Sequence, residues 1–442
     1  MMVRVTLASP DIEAHPLRHQ VLEELHARPF QGIDTPRRLL HQAFATQALP
    51  VAEERARLAA WCSAAGVAGP EPDANFHRAS LPAARLRWER HSEFSTYGWD
   101  MAQTAPEPFS WPLAEPSPLG GALRAPGPLL VAIDLAVVKG DGLDPEWTVL
   151  FDPASLCVSA VHDGAALIAT DFRQDARGAT RILVIDRALN ASLAGALVQR
   201  LLEVETYRCF ALLGLPEAQR AAPIVGRIEQ ELVRVALRMT TTTGLDSNAA
   251  LLETLVAQAA ELEAEAAVSS FRFGATRAYD ALVRARLGVI GEMPVDGFST
   301  WIGFLDRRLA PAVRTCQTVA ERQAELSTKL ARASNLLRTR VDIEMEQQNK
   351  ALLQSMADRG RMQLRLQQTV EGLSVAAVSY YVLGLLGYLF KGAKDAGLTS
   401  IDPTVATAAA LPVVILAVAW LVRRIRRSHA DPDGAGQPGK HR

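Results

Sequence analysis

Two short stretches of this chain gather the residue types that bind metals or move protons. The first is His15, His19, Glu23 and His26, at i, i+4, i+8 and i+11. On one helix these positions share a face, and imidazoles beside a carboxylate suit zinc or another divalent ion. Three turns are too long for all four to reach one ion, so a site would take two of them and a partner from elsewhere. More plainly, the segment is a helix with a polar, partly buried face, ended by Arg28-Pro29.

The second stretch is Trp88-Glu89-Arg90-His91-Ser92-Glu93-Phe94. On a strand, Glu89, His91 and Glu93 point to one face. Two carboxylates and an imidazole there would hold a divalent cation or do acid–base work. More plainly, it is a solvated strand face anchored from behind by Trp88 and Phe94.

Other charged groups read as structure. Asp171, Arg173, Asp175 and Arg181 suggest a salt-bridge cluster at a sheet edge. Glu203, Glu205, Tyr207 and Arg208 interrupt an apolar helix, where buried charge needs a partner, so an internal Glu–Arg network is expected. Cys62, Cys157, Cys209 and Cys316 are far apart and form no CxxC, so they read as reduced, packed thiols. No GxxxxGK[ST], HExxH, GxSxG or GxGxxG occurs, so the sequence names no catalytic residue and no cofactor. With 47 basic and 48 acidic side chains, the chain lacks the basic excess of a nucleic-acid binder.

The elements that must carry these residues divide sharply. Leu373–Phe390 and Val405–Val422 contain no charged side chain, and each run is close to the ~20 residues that cross a bilayer as a helix. Arg359, Arg361 and Arg365 precede the first run, and four arginines between Arg423 and Arg427 follow the second. The loop between the runs has only Lys391 and Lys394 as cations. Basic residues collect on the cytoplasmic side. The pattern predicts a transmembrane hairpin, with both termini and the body cytoplasmic. Met1–Pro10 has no apolar core of signal-peptide length, which agrees.

Ahead of the hairpin, Leu326, Leu330, Ala333, Leu337, Val341, Met345, Leu352, Met356, Leu366, Val370 and Leu373 mark one stripe at helical spacing. It predicts a continuous stalk running into the first span. A helix that long cannot be buried by one small domain, so it should pack on the Leu251–Ile290 helix or on copies of itself. Earlier, helices are expected at Leu17–His26, Thr35–Trp61 and Ser192–Leu213. Strands are expected at 85–90, 94–99, 129–138, 147–151, 157–162, 166–170 and 181–186. Asp163-Gly164 forms a hairpin turn between two of them. Met101–Pro128 is Pro- and Gly-rich and reads as a long loop.

The fold class is therefore α+β: an N-terminal mixed α/β domain over 1–186, a helical domain over 187–300, and a stalk over 301–372. Spans at 373–390 and 405–422 and a basic tail over 423–442 follow.

Several stretches resemble a proteobacterial family of membrane-anchored proteins of unknown function. They are His15-Pro16-Leu17-Arg18 with Glu24-Leu25-His26-Ala27-Arg28-Pro29-Phe30, then Trp88 to Phe94, then Leu336 to Asp342 running on to Val370-Glu371-Gly372-Leu373-Ser374-Val375. The likeness spans nearly the whole chain and implies no particular active site. The order of elements also resembles the CorA magnesium channels. Where those carry Gly-Met-Asn, this chain has Gly387-Tyr388-Leu389-Phe390-Lys391-Gly392, without the Met-Asn. The expected function is a membrane-anchored, self-associating scaffold or regulator, with the lipid bilayer and a second copy as partners. The CorA resemblance implies an alternative, a channel for divalent cations.

Overall fold

The computed structural model describes residues 15, 18, 22, 31–103, 107–110, 123–142 and 146–429. The chain divides into two compact units. One takes in the chain up to Thr242 together with Ala250–Asn335, and the other is Thr243–Ala249 with the chain from Leu336 onward.

The first unit is built on a sheet. Among the described residues its strands are β1 (Arg37–Ala45), β2 (Phe76–Ser80), β3 (Arg85–Arg90), β4 (Phe94–Ala102), β5 (Leu129–Lys139), β6 (Cys157–Val161), β7 (Ala166–Thr170), β8 (Thr180–Asp186) and β9 (Met293–Pro294). They lie in the order β2-β3-β4-β1-β5-β8-β7-β6-β9. The β5–β8 pairing is parallel and the others are antiparallel. The helices are α1 (Val51–Ala64), α2 (Ala191–Leu212), α3 (Gly214–Thr241), α4 (Leu245–Ile290), α5 (Trp301–Asp395) and α6 (Pro403–His429).

The expected helix over Thr35–Trp61 is corrected. Its first part is β1, and only Val51–Ala64 is helical. β1 sits mid-sheet between β4 and β5, with apolar side chains on both faces. A strand covered on both sides loses the alternation that would reveal it. The expected strand at Trp147–Phe151 is a 3-10 turn over Trp147–Leu150. There Trp147 and Phe151 meet edge to face and join Phe109 in one cluster. The expected helix at Ser192–Leu213 is α2, and α3 starts at once after it at Gly214. β2, too short and too polar to announce itself, was not expected. β9, at residues read as a turn, was not expected either, while β3 to β8 fall where strands were expected, and the turn at His162, Asp163 and Gly164 takes positive φ at all three residues.

The main core lies on one sheet face. Ile133, Leu135, Ile168, Ile182 and Val184 pack beneath Leu197, Leu201 and Val204 of α2, with Trp301, Leu305 and Leu309 of α5. On the opposite face, Leu58 and Cys62 of α1 cover Leu86, Trp88, Tyr97 and Trp99. Glu292 fixes the start of α5. Its carboxylate accepts from the backbone N–H groups of Trp301 (2.9 Å) and Ile302 (2.6 Å) and from the Ser159 hydroxyl of β6 (2.6 Å). An acidic group there satisfies orphan amides and complements the helix dipole.

In the second unit, α5 and α6 form an antiparallel hairpin. Gly387 lies against Thr407, Lys394 is 3.7 Å from Asp402, and Val422 lines a groove with Gln367, Val370 and Ser374. Ser379, Val414 and Val418 are buried in the seam. Pro412 lies inside α6.

Candidate functional site

Strand register sets out a grid on one face of the sheet. One row across β1, β4, β3 and β2 is His41, Gly98, Arg87 and Arg78. The next is Leu39, Asp100, Arg85 and Ser80, and the next Ala43, Thr96, Glu89 and Phe76. Opposite, α2 presents Gly195, Val198, Gln199, Leu202, Glu203 and Thr206, which recur at helical spacing. Between the two is a cleft of about 130 Å³. Gly195 is required there, because a Cβ would stand 1.8 Å from the Gln31 carbonyl oxygen. That close approach lets residues 31–33 cross α2, where the Ile33 N–H donates to the Ala191 carbonyl at 2.9 Å.

The polar groups of the cleft neutralise one another. Asp100 accepts from both Arg37 (2.7 Å) and Arg85 (2.6 Å). Arg87 donates to Glu89 and to Gln199 (3.3 Å), and Glu203 accepts from Gln199 (2.9 Å) and Arg286. Arg78 and Arg87 both lie over the Phe76 ring, at 4.8 and 5.6 Å. His41, which lines the cleft, is held far below the usual imidazole range, to about 3, by burial first and by the Arg87 charge second. It is neutral at physiological pH and pairs with the Thr206 hydroxyl at 3.2 Å.

The Trp88–Phe94 motif is split by this architecture. β3 ends at Arg90 and β4 begins at Phe94, so His91–Glu93 is a turn and the three groups do not line one strand face. His91 stacks on Phe94, with ring centroids 4.2 Å apart, and lies 3.6 Å from Glu89, beyond hydrogen-bonding reach. Glu93 is held elsewhere, accepting from Arg272 (2.7 Å) and Gln47 (3.0 Å). Of the first stretch, His15 is exposed, while His19, Glu23 and His26 lie outside the described residues. Among the described residues, no group of three His, Cys, Asp or Glu side chains is placed to hold a metal ion.

Trp88 and Arg90 of the motif serve a residue that sequence reasoning missed. Glu54 of α1 is buried, and its carboxylate accepts from the Trp88 indole (3.0 Å), the Tyr97 hydroxyl (2.9 Å), Arg90 (2.7 Å) and the Ser95 hydroxyl (2.8 Å). Arg90 also donates to the carbonyls of Thr46 and Leu49, at 3.0 and 3.1 Å. Four donors of the sheet converge on one carboxylate of the helix, so this cluster clamps α1 to the sheet.

Asp171 and Asp175 shape turns rather than a catalytic cluster. Asp171 accepts from the N–H groups of Asp152 and Arg173, and Asp175 from those of Arg177 and Ala179. Arg181 lies over Phe109 and Phe151. The expected network on α2 is present, with Arg208 donating to Glu205 at 2.8 Å.

The remaining candidate is the hairpin. α5 includes a stretch of mean hydropathy 1.8 and α6 one of 2.5, and only 6% and 11% of those stretches is buried. A soluble core helix of that composition would be covered. Both helices are long and apolar enough to cross a membrane.

Residues 13–429 match the family described as "Protein of unknown function (DUF3422)". The chain belongs to that family. No curated protein and no solved structure matches it. The matched span takes in the motif residues, the long helix and the hairpin alike.

Proposed function

We propose that this chain is an inner-membrane protein whose cytoplasmic body is carried on a long helix and which acts as a self-associating scaffold or regulator. The observation that carries this is the changing environment of the α5 stripe. Leu326, Leu330 and Leu337 are buried, whereas Met345, Leu352, Met356, Leu366 and Val370 are exposed. An apolar stripe at three-and-four spacing, left open ahead of two lipid-suited helices, fits helix pairing with a second copy. The cleft supports no competing catalytic reading. Its carboxylates are spent on arginines, and Glu89–His91 at 3.6 Å is the nearest described approach to an acid–base pair there.

The test is the protein mass of the detergent-solubilised chain by light scattering, with detergent subtracted, after an alkaline carbonate wash of the membranes. Retention in the washed membrane and a mass above one chain are expected, with Leu352→Glu and Met356→Glu together lowering the mass. Release by carbonate removes the membrane reading. A monomer removes self-association. A second reading, a divalent-cation channel, is favoured by one feature, the long helix that enters the first of two apolar helices. Proteoliposomes without Mg²⁺, Co²⁺ or Ni²⁺ flux above empty vesicles would discard it.

A further inference from the structure

The hairpin register brings a run of arginines on α6 just above the last of the arginines that precede the α5 apolar stretch. Val422 lines the same groove as Gln363, Gln367 and Glu371, and Gly387 meets Thr407 further along. Positions just after Val422 therefore lie beside the turns of α5 that just precede Glu371. Arg365 lies next to those turns, with Arg361 one turn and Arg359 nearly two turns further down α5, and the sequence of α6 continues with Arg423, Arg424, Arg426 and Arg427. In sequence, residues 358–371 and 423–427 hold seven arginines against two carboxylates, Asp358 and Glu371, and Asp358 is engaged by Arg361 at 3.5 Å. The belt sits where the apolar stretches end. Trp420 marks that boundary, with the Arg424 guanidinium 5.2 Å from its ring. An indole at the headgroup level and arginines just outside it match the chemistry of a membrane interface.

We propose that this two-helix arginine belt binds the phosphates of anionic lipid headgroups, so that the hairpin selects the lipids around it. The inference rests on the membrane reading above. Guanidinium pairs phosphate through two parallel hydrogen bonds. Basic side chains beside a span gain from an anionic leaflet, and the effect fades within a Debye length. Arginines from the two helices act together because the seam holds the helices in register.

Trp420 supplies the readout, since the other six tryptophans stand at or before Trp301. The full chain is reconstituted in vesicles containing equal mole fractions of dibrominated phosphatidylglycerol or dibrominated phosphatidylcholine. Trp420→Phe assigns the quenched signal. Brominated phosphatidylglycerol is expected to quench at least about twofold more than brominated phosphatidylcholine. R361Q, R365Q, R423Q and R424Q combined should make the two equal while leaving phosphatidylcholine quenching intact. Inorganic phosphate at matched ionic strength should not remove the preference. Equal quenching in the unaltered chain overturns the belt and leaves the membrane reading standing, as does a preference that survives the four changes. Loss of the preference to inorganic phosphate reassigns the belt to soluble anions. No quenching by either lipid removes the membrane reading and the belt with it.

Discussion

The carboxylate of Glu54 accepts a 3.0 Å hydrogen bond from the indole of Trp88, and neither residue is more than 1% exposed. A helix thus inserts a charge into the most aromatic face of the sheet, where Arg90 balances it at 2.7 Å. Glu54→Ala leaves that guanidinium with only neutral partners, the Thr46 and Leu49 carbonyls and the Ser95 hydroxyl, and strands the Trp88 and Tyr97 donors. Removing one partner of a buried pair costs about 3–5 kcal/mol. The expected result is a large fall in the denaturation midpoint, with Glu53→Ala, an exposed neighbour, changing little. A shift of similar size in both would show that the Glu54 network contributes nothing special.

His41 gives the fold an acid sensitivity of defined sign. Its folded pKa is about 3, against an ordinary value of 6.5, so between those values the unfolded chain binds a proton that the folded chain refuses. Its contribution to stability is complete above the ordinary value and declines as pH falls toward 3. Urea midpoints of the unaltered chain should fall between about pH 7.5 and about pH 5, and His41→Asn should fall by less over the same interval. Parallel curves would contradict the assignment.

The thiols should be inert. Burial raises Cys62 and Cys316, and it pushes Cys157 and Cys209 up to about 12, with the Glu205 charge adding to the effect at Cys209. At about pH 8 all four are protonated in the folded chain, and the thiolate is the reactive form. Ellman's reagent should react slowly with the native protein and rapidly with all four thiols in denaturant. Stoichiometric labelling of the native chain within minutes would count against this packing.

Leu385 is exposed on the outer face of the α5 apolar stretch. An arginine there would cost about 2.5–3.5 kcal/mol on insertion scales if that face meets lipid. Leu385→Arg should reduce the membrane-integrated fraction, whereas Leu353→Arg, exposed on α5 ahead of that stretch, should not. Equal integration of both variants would mean that the outer face does not touch hydrocarbon.

What could be read from residue order follows from how each element is buried. The hairpin and α5 were legible because uncovered apolar runs are long and uninterrupted by charge. β3 and β4 were legible because alternation survives where aromatic residues back one face. β1 was not, since Leu39 and Leu40 pack on opposite faces and both are apolar. Glu54 was invisible for a related reason. In Val-Ala-Glu-Glu-Arg it stands next to Glu53, and nothing local says which of two adjacent carboxylates will meet Trp88 and Tyr97. The Glu89/His91/Glu93 expectation assumed an unbroken strand, and the turn at 91–93 sends Glu93 to Arg272 on α4. Glu292, which starts α5, carried no signal at all because its three donors come from Ser159, Trp301 and Ile302.

Pro412 gives the outer surface of the hairpin a particular appetite. Proline has no N–H, so the Ala408 carbonyl one turn earlier loses its helical donor. Ala408 is exposed, and the nearby Thr407 hydroxyl already donates to the Pro403 carbonyl at 2.7 Å. Acyl chains offer a carbonyl nothing, and an unsatisfied one costs several kcal/mol in hydrocarbon. A neighbouring helix that brings a hydroxyl or amide to that point would be held there by the chain's own missing proton.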